Sequence, residues 1–261
     1  MTGFLASVAT AAEAAVALDG GADIVDLKDP SQGALGALPS PVIAEAVAAI
    51  AGRRTLSATA GDLVMEPDAV LPAVRRLAGL GVDIVKVGIF PGGDLAACLR
   101  ALRSETERGT RIVAVMFADR APDFDLIPRL RDAGFAGAML DTAGKDGGGL
   151  RTRLSEARLR AFVDAVAARG LMSGLAGSLR LDDIAPLAAL RPDYLGFRGA
   201  LCEGGRGSAL TPARLRAVRQ AIDAADAYGP AASTAKAAAG AQRAAHSTAR
   251  ASPDSRAAKS T

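Results

Sequence analysis

Short apolar runs alternate with stretches of helical periodicity along most of the chain. The strand candidates are FLASVAT from Phe4, ADIVDLK from Ala22, TLSATAGD from Thr55, VDIVKVGIF from Val82, RIVAVMFAD from Arg111, GAMLDTAG from Gly137, LMSGLAGS from Leu171 and YLGFRGALC from Tyr194. Between them, segments such as SPVIAEAVAAIAG from Ser40, DAVLPAVRRLAGLG from Asp68, DLIPRLRDAGF from Asp125 and SEARLRAFVDAVAARG from Ser155 place apolar residues on one helical face. Several begin beside Ser, Thr or Asp with a Pro nearby and stop at Gly, the usual cap signals. Strands that are apolar on both faces are covered on both faces, which implies parallel pairing. Eight such β-then-α units in about 225 residues predict an α/β fold of the (β/α)8 TIM barrel class. An open doubly wound sheet is the alternative, but no G-x-G-x-x-G follows the first strand and no Walker A sequence is present.

Composition changes the picture at one point. From Gly229 the chain turns to Ala, Ser, Thr and isolated Arg or Lys, too poor in large apolar residues to offset ordering entropy. The division expected is a catalytic barrel over residues 1–228 and a disordered low-complexity tail over 229–261. The tail holds five Lys or Arg against one Asp, so of the formal +3 charge it carries +4 and the body is left at about −1. No excess positive charge remains to hold a polyanion, and aromatics are only 3% with no Trp, so nucleic-acid binding is not expected. Cys98 and Cys202 have no metal-ligand spacing and make no disulfide framework. The N-terminal stretch MTGFLASVAT lacks a charged leader pattern, and no run reaches about 18 apolar residues. A cytoplasmic protein without membrane association is the expectation. His246, the one histidine, lies in the tail, which removes His-based triads and His-ligated metals from the body. No metal and no cofactor is called for.

Lysine is scarce: five in all, with Lys236 and Lys259 in the tail and Lys28, Lys86 and Lys145 in the body. Arg supplies the general basic surface, so a body Lys suggests chemistry Arg cannot perform, such as imine formation. In a barrel of this class the strand C-termini and the loops after them form the active face. Lys28 closes the second strand, Lys86 lies late in the fourth and Lys145 follows the sixth, so all three fall on one rim. Alternation puts Asp26 on the face of Lys28, and Asp141 on that of Lys145 if the extended path continues. An amine desolvated in such a mouth and crowded by other cations gives up its proton more readily, and neighbouring carboxylates can shuttle protons. Each lysine alone reads equally well as an ordinary strand-end salt bridge; the joint placement of three does not. Asp23 and Asp83, at strand starts, belong to the opposite rim and read as structural.

The seventh and eighth strands end in GLAGSL, with Gly174, Gly177 and Ser178, and GFRGAL, with Gly196, Arg198 and Gly199. Small residues there admit a phosphate to backbone amides, so Gly174, Gly177, Ser178, Arg198 and Gly199 are the candidate phosphate ligands. As isolated glycines they would be turn formers. The loops PSQGALGALPSP after Asp29 and KDGGGL from Lys145 read either as lids or as plain connections. Arg120, Arg151 and Arg206 also lie in loops of this face, where one could hold a second phosphate.

The stretch DIVDLKDPSQGALGA, with VDIVKVGI, MLDTAGKDGGGL, GLAGSL and LGFRGALC, resembles the (5-formylfuran-3-yl)methyl phosphate synthase family of methanofuran biosynthesis, also called 4-(hydroxymethyl)-2-furancarboxaldehyde-phosphate synthase. The resemblance spans all eight units, from Phe4 to Ile222. It implies a barrel enzyme, a lyase, that condenses two glyceraldehyde 3-phosphate molecules into a phosphorylated furan aldehyde with loss of phosphate and water. It further implies that Lys28 is the Schiff-base lysine and that Asp26, Lys86, Asp141 and Lys145 are the other charged active-site groups. Triose phosphates are then the partners, and Ala-rich outer helices suggest a homo-oligomer. The rival readings are a class I aldolase acting on another sugar phosphate and a non-catalytic phosphometabolite-binding barrel.

Overall fold

The computed structural model describes residues 1–144 and 148–227. Lys145 and the expected tail from 229 therefore lie outside the described residues. Eight parallel strands close into one barrel in sequence order: β1 (Gly3–Val8), β2 (Ile24–Leu27), β3 (Thr55–Thr59), β4 (Ile84–Gly88), β5 (Ile112–Phe117), β6 (Gly137–Asp141), β7 (Met172–Leu175) and β8 (Tyr194–Phe197), with β8 pairing back to β1. Around them run α1 (Ala11–Asp19), α2 (Ser40–Ile50), α3 (Pro67–Gly79), α4 (Leu95–Glu107), α5 (Leu126–Asp132), α6 (Leu150–Arg153), α7 (Glu156–Ala167), α8 (Leu181–Ala188) and α9 (Pro212–Ala227). Beyond the eight expected units the described residues add α6, a single turn between β6 and α7, and two 3-10 turns, at Ala118–Arg120 and Gly199–Leu201.

Local chemistry explains the boundaries. Thr10, Asp94 and Ser155 cap α1, α4 and α7 by accepting a hydrogen bond from the backbone three residues on, at Glu13, Ala97 and Arg158. The helices α2 and α3 instead carry a proline at one of their first two positions, Pro41 and Pro67, where the missing N–H is no loss.

Strand alternation sorts the core into two layers. One parity, with Phe4, Ala6, Val25, Leu27, Val85 and Ala114, packs outward against the helices. The other parity, with Leu5, Ile84, Val113, Val115, Met139 and Tyr194, fills the lower barrel. Tyr194 needs room there. A Cβ on Gly174 would lie 2.3 Å from the Tyr194 ring, so Gly174 is the gap into which that ring fits. Burial pushes the Tyr194 hydroxyl well above the ordinary tyrosine range, and it donates to Met139 Sδ at 3.4 Å.

The lower rim is held by carboxylates, as the sequence suggested for two of them. Asp23 accepts from the Phe4 amide at 2.8 Å, Asp83 from Leu56 at 2.7 Å and Asp193 from Ser173 at 2.6 Å. Each is the residue before an even strand and binds the odd strand preceding it. Before β6 the same position is Ala136, which can make no such bond.

The loop after Asp29 is a packed connection rather than a lid. Leu35 is fully buried, and its two flanking amides, those of Ala34 and Leu35, both donate to Asp62, at 2.9 and 2.6 Å. The Leu35 side chain and the Phe90 ring press on the end of β4, where a Cβ on Gly88 would meet them at 2.7 and 2.4 Å. Phe90 stacks on Phe117 with centroids 4.8 Å apart. This apolar group closes the β3–β5 side of the upper mouth.

Candidate active site

What remains open is an off-centre cavity of about 1020 Å³, walled by β1, β2 and β6–β8 with their loops and by Lys86 of β4. Its volume is at the upper end for small-molecule sites. Lys28, Lys86, Asp141, Gly177, Ser178, Arg198 and Gly199 all line it.

Among the described residues, two charged pairs form across the barrel. Asp26 Oδ2 accepts from Lys86 Nζ at 2.7 Å and from Ser7 Oγ at 2.9 Å, while its Oδ1 accepts from Ser57 Oγ at 2.7 Å. Asp26 is wholly buried and Lys86 is 3% exposed. Lys28 Nζ reaches over to Asp141 Oδ2 at 3.3 Å. Its side chain is 11% exposed and that of Asp141 8%, and both residues line the cavity, whereas of the first pair Lys86 lines it and Asp26 lies behind. Asp26 and Lys28, which share a face as the alternation predicts, are thus each paired with another strand. Closure of the barrel makes this possible, since inward residues of strands far apart in sequence meet at the axis.

Ser7 and Ser57 are functional-site residues that the sequence reading missed. The available signal was their parity: Ser7 is the one hydroxyl of an apolar strand, and Ser57 lies on the hydroxyl-bearing face of β3 between Thr55 and Thr59. Asp29, beside Lys28, turns back into its own loop. The Ser31 hydroxyl and amide, at 2.6 and 2.8 Å, hold its carboxyl below the usual range. Asp119, after β5, takes the amides of Ala143 at 2.8 Å and Gly144 at 2.7 Å. Burial works against the charge of Asp119, but these two amides and nearby Arg153 outweigh it, leaving the carboxyl below its ordinary value. The chain after Asp141 is thus anchored immediately before Lys145, which lies outside the described residues.

On the β7–β8 side, Gly177 at φ +110° and Ser178 at φ +51° turn the chain sharply into α8. A Cβ on Gly177 would come within 2.9 Å of Thr142, so only glycine allows this approach. The amides of Ser178, Leu179, Gly199 and Ala200 hold no hydrogen bond among the described residues, which suits them to an anion. Two of the predicted phosphate ligands need correction. Gly174 does not line the cavity, since it lies inside β7 facing Tyr194. Arg198 lines the cavity, but its donors are spent: Nε on the Arg206 carbonyl, Nη1 on Ser7 O and Glu13 Oε2, Nη2 on Glu13 Oε1 and Ser208 O. A guanidinium has five N–H groups, and all five are used. Of the three loop arginines, Arg120 stacks on Phe90 and Phe117 away from the cavity, whereas Arg151 and Arg206 line it. Arg180 and Arg214, not singled out from the sequence, line it too.

Comparison with known proteins gives consistent findings. The family described as 4-HFC-P synthase matches residues 4–219. A Methylorubrum extorquens protein, provisionally named (5-formylfuran-3-yl)methyl phosphate synthase, is 45% identical over 84% of this chain and 90% of its own. The (5-formylfuran-3-yl)methyl phosphate synthases of Methanopyrus kandleri and Methanosarcina mazei are 40% and 34% identical, over 74% and 79% of this chain and 86% and 93% of theirs. Among solved structures, phosphoribosyl anthranilate isomerase from Thermus thermophilus superposes with a TM-score of 0.61 at 16% identity, covering 86% of this chain and 99% of its own. For 3-hexulose-6-phosphate synthase from Salmonella typhimurium the TM-score is 0.57 at 20% identity, covering 85% and 98%. These two likenesses concern the barrel fold.

Proposed function

The chain belongs to the 4-HFC-P synthase family, and from that premise we propose that it condenses two molecules of glyceraldehyde 3-phosphate into (5-formylfuran-3-yl)methyl phosphate through an imine on Lys28, supplying the furan of a methanofuran-type cofactor. The observation that carries this reading is the placement of Lys28, an amine on the wall of a large cavity with one carboxylate, Asp141, 3.3 Å away.

Lys28 Nζ adds to the carbonyl of one triose phosphate, and water leaves as the imine forms. The protonated imine draws electrons from the adjacent C–H bond, and Asp141 takes that proton to give the enamine. The enamine carbon bonds to the carbonyl carbon of the second triose. One phosphate departs with the electron pair of its C–O bond, ring closure and dehydration follow, and hydrolysis of the imine frees Lys28. The balance is two triose phosphates to one furan phosphate, one phosphate and two waters. Asp26 has no part in these proton transfers, because it is buried and its oxygens are occupied by Lys86, Ser7 and Ser57. It acts through Lys86, whose ammonium it aims at the cavity floor, where positive charge favours the developing oxyanions. Lys145 is proposed as a further charged group of the site on the family resemblance alone.

The test is intact-protein mass after incubation with glyceraldehyde 3-phosphate and borohydride, for the parent and for Lys28→Arg, with a scan for the furan-aldehyde chromophore. Adduct and chromophore in the parent, both absent in the variant, are the expected result. An adduct without chromophore would make the protein an aldolase. No adduct during turnover would remove Lys28 from the chemistry.

A further inference from the structure

Arg206 sits in a loop built to hold it still. It lies within Gly204-Gly205-Arg206-Gly207, with Gly205 at φ +88°. Arg198 binds the carbonyls of Arg206 and Ser208, both at 2.9 Å, and Arg198 is itself gripped by Glu13 through two contacts at 2.6 and 3.2 Å. Glu13 in turn accepts from the Ala9 amide at 2.7 Å and the Leu210 amide at 3.3 Å. The Arg198–Glu13 pair therefore ties the end of β1, the end of β8 and the Arg206 loop into one unit.

From that support the Arg206 guanidinium crosses to the loop after Lys28, where Nη2 donates to the Pro30 carbonyl and, at 3.3 Å, to that of Gly33. Its Nε and Nη1 hold no hydrogen bond among the described residues, and no carboxylate there is paired with it. Arg206 lines the same cavity as Lys28 and Pro30. One nitrogen anchors the group and two remain for a ligand. The other arginines of this wall differ: Arg151 is paired with Asp183 at 3.1 Å, and Arg180 and Arg214 are exposed at its edge.

A condensation of two triose phosphates must accommodate two phosphates, whereas the amide cradle at Ser178, Leu179, Gly199 and Ala200 suits one. We propose that Arg206 forms the second phosphate subsite, holding the phosphate of the triose that is not attached to Lys28. The inference rests on the two-substrate reading above. It places the two anions on either side of Lys28, one toward β7 and β8 and one toward the loop after β2. The two reacting carbons are thereby brought together over the Lys28–Asp141 pair.

The test compares the parent with Arg206→Gln and Arg206→Lys as full-length proteins. Gln keeps an amide donor able to brace Pro30 and Gly33 but carries no charge; Lys keeps the charge. Three readouts are taken: calorimetric titration with inorganic phosphate, borohydride trapping of glyceraldehyde 3-phosphate on Lys28, and furan formation. The expected result is that Arg206→Gln binds one phosphate fewer than the parent, traps the first triose within about twofold of it, and loses about ten- to a hundredfold in kcat/KM for furan formation, mostly through KM. Arg206→Lys recovers part of both the binding and the rate. Unchanged phosphate stoichiometry in Arg206→Gln would overturn the proposal, as would equal loss of trapping in both variants, which would make Arg206 a loop brace. If the parent itself gives neither adduct nor furan, the synthase reading fails, while the phosphate titration still decides the role of Arg206.

Discussion

The Asp26–Lys86 pair makes a quantitative claim about what the barrel gives up for its site. Both groups are out of water, at 0% and 3% exposure, and their separation is 2.7 Å. Removing one member of such a pair leaves an uncompensated buried charge, at a typical cost of about 3–5 kcal/mol. Asp26→Asn should cost that much, because the new amide can still bond Ser7 and Ser57 but cannot neutralise Lys86. Lys86→Met should cost less, about 2 kcal/mol, since two hydroxyl donors continue to serve the carboxylate. In Asp26→Asn/Lys86→Met both charges are gone and the serine contacts persist, so the double variant should return to within about 1–2 kcal/mol of the parent. The implied coupling energy is about 3 kcal/mol or more. Urea unfolding followed by circular dichroism and by tyrosine fluorescence, with coincident transitions as the check on two-state behaviour, measures all four proteins. Furan formation should be lost in all three variants, including the stable double one. A coupling energy below about 1 kcal/mol would refute the reasoning, because it would mean that water reaches the pair and screens it.

Two further outcomes follow from the geometry. The Asp119 carboxyl is held below its ordinary value of 3.8 by the Ala143 and Gly144 amides against the cost of burial, so its contribution is complete above that value and disappears as pH falls through the lower folded-state value. Protection of the Ala143 and Gly144 amides against exchange, taken relative to the intrinsic rate at each pH, should accordingly persist at pH 5, fall away as pH drops through the folded-state value below 3.8, and be lost at every pH in Asp119→Ala. Gly174→Ala would put a methyl group 2.3–2.5 Å from Tyr194 ring and hydroxyl atoms that are fully buried. The expected loss is about 1–3 kcal/mol, or a fall of several degrees in melting temperature, substantially relieved by Tyr194→Leu in the same chain.

The eight strands and the barrel class were legible because parallel strands covered on both faces leave continuous apolar runs, and few folds repeat them eight times with helices between. The inward placement of Asp26, Lys28, Lys86 and Asp141 was legible for the same local reason, since side chains alternate with period two. Their pairing was not. Lys28 and Asp141 are 113 residues apart, and nothing in either strand reveals which charge lies opposite once the sheet closes. Arg198 was read as a phosphate ligand because an arginine between glycines at the end of the eighth strand has the right composition. That its five donors are consumed by Glu13 and three carbonyls depends on residues up to 191 positions away. Gly174 misled in the opposite sense: a glycine that leaves space for a tyrosine on the next strand looks in sequence like one that bends a loop. Ser7 and Ser57 had a local signal, and it was too weak beside the charged residues to be noticed.

The aspartates of the lower rim have a consequence at the other end of the strands. In β2 and the residues flanking it, Asp23, Asp26 and Lys28 lie within six positions, and only the first is remote from the cavity. A shift of one residue in the pairing of this strand would turn Val25 and Leu27 into the mouth and drive Asp26 and Lys28 toward the helices. The bond from the Phe4 amide to Asp23 opposes that shift, and Asp83 does the same for the strand that carries Lys86. These carboxylates act as reading-frame markers for the sheet: they contact nothing that reacts, yet they determine that the amines emerge on the side where a substrate can meet them.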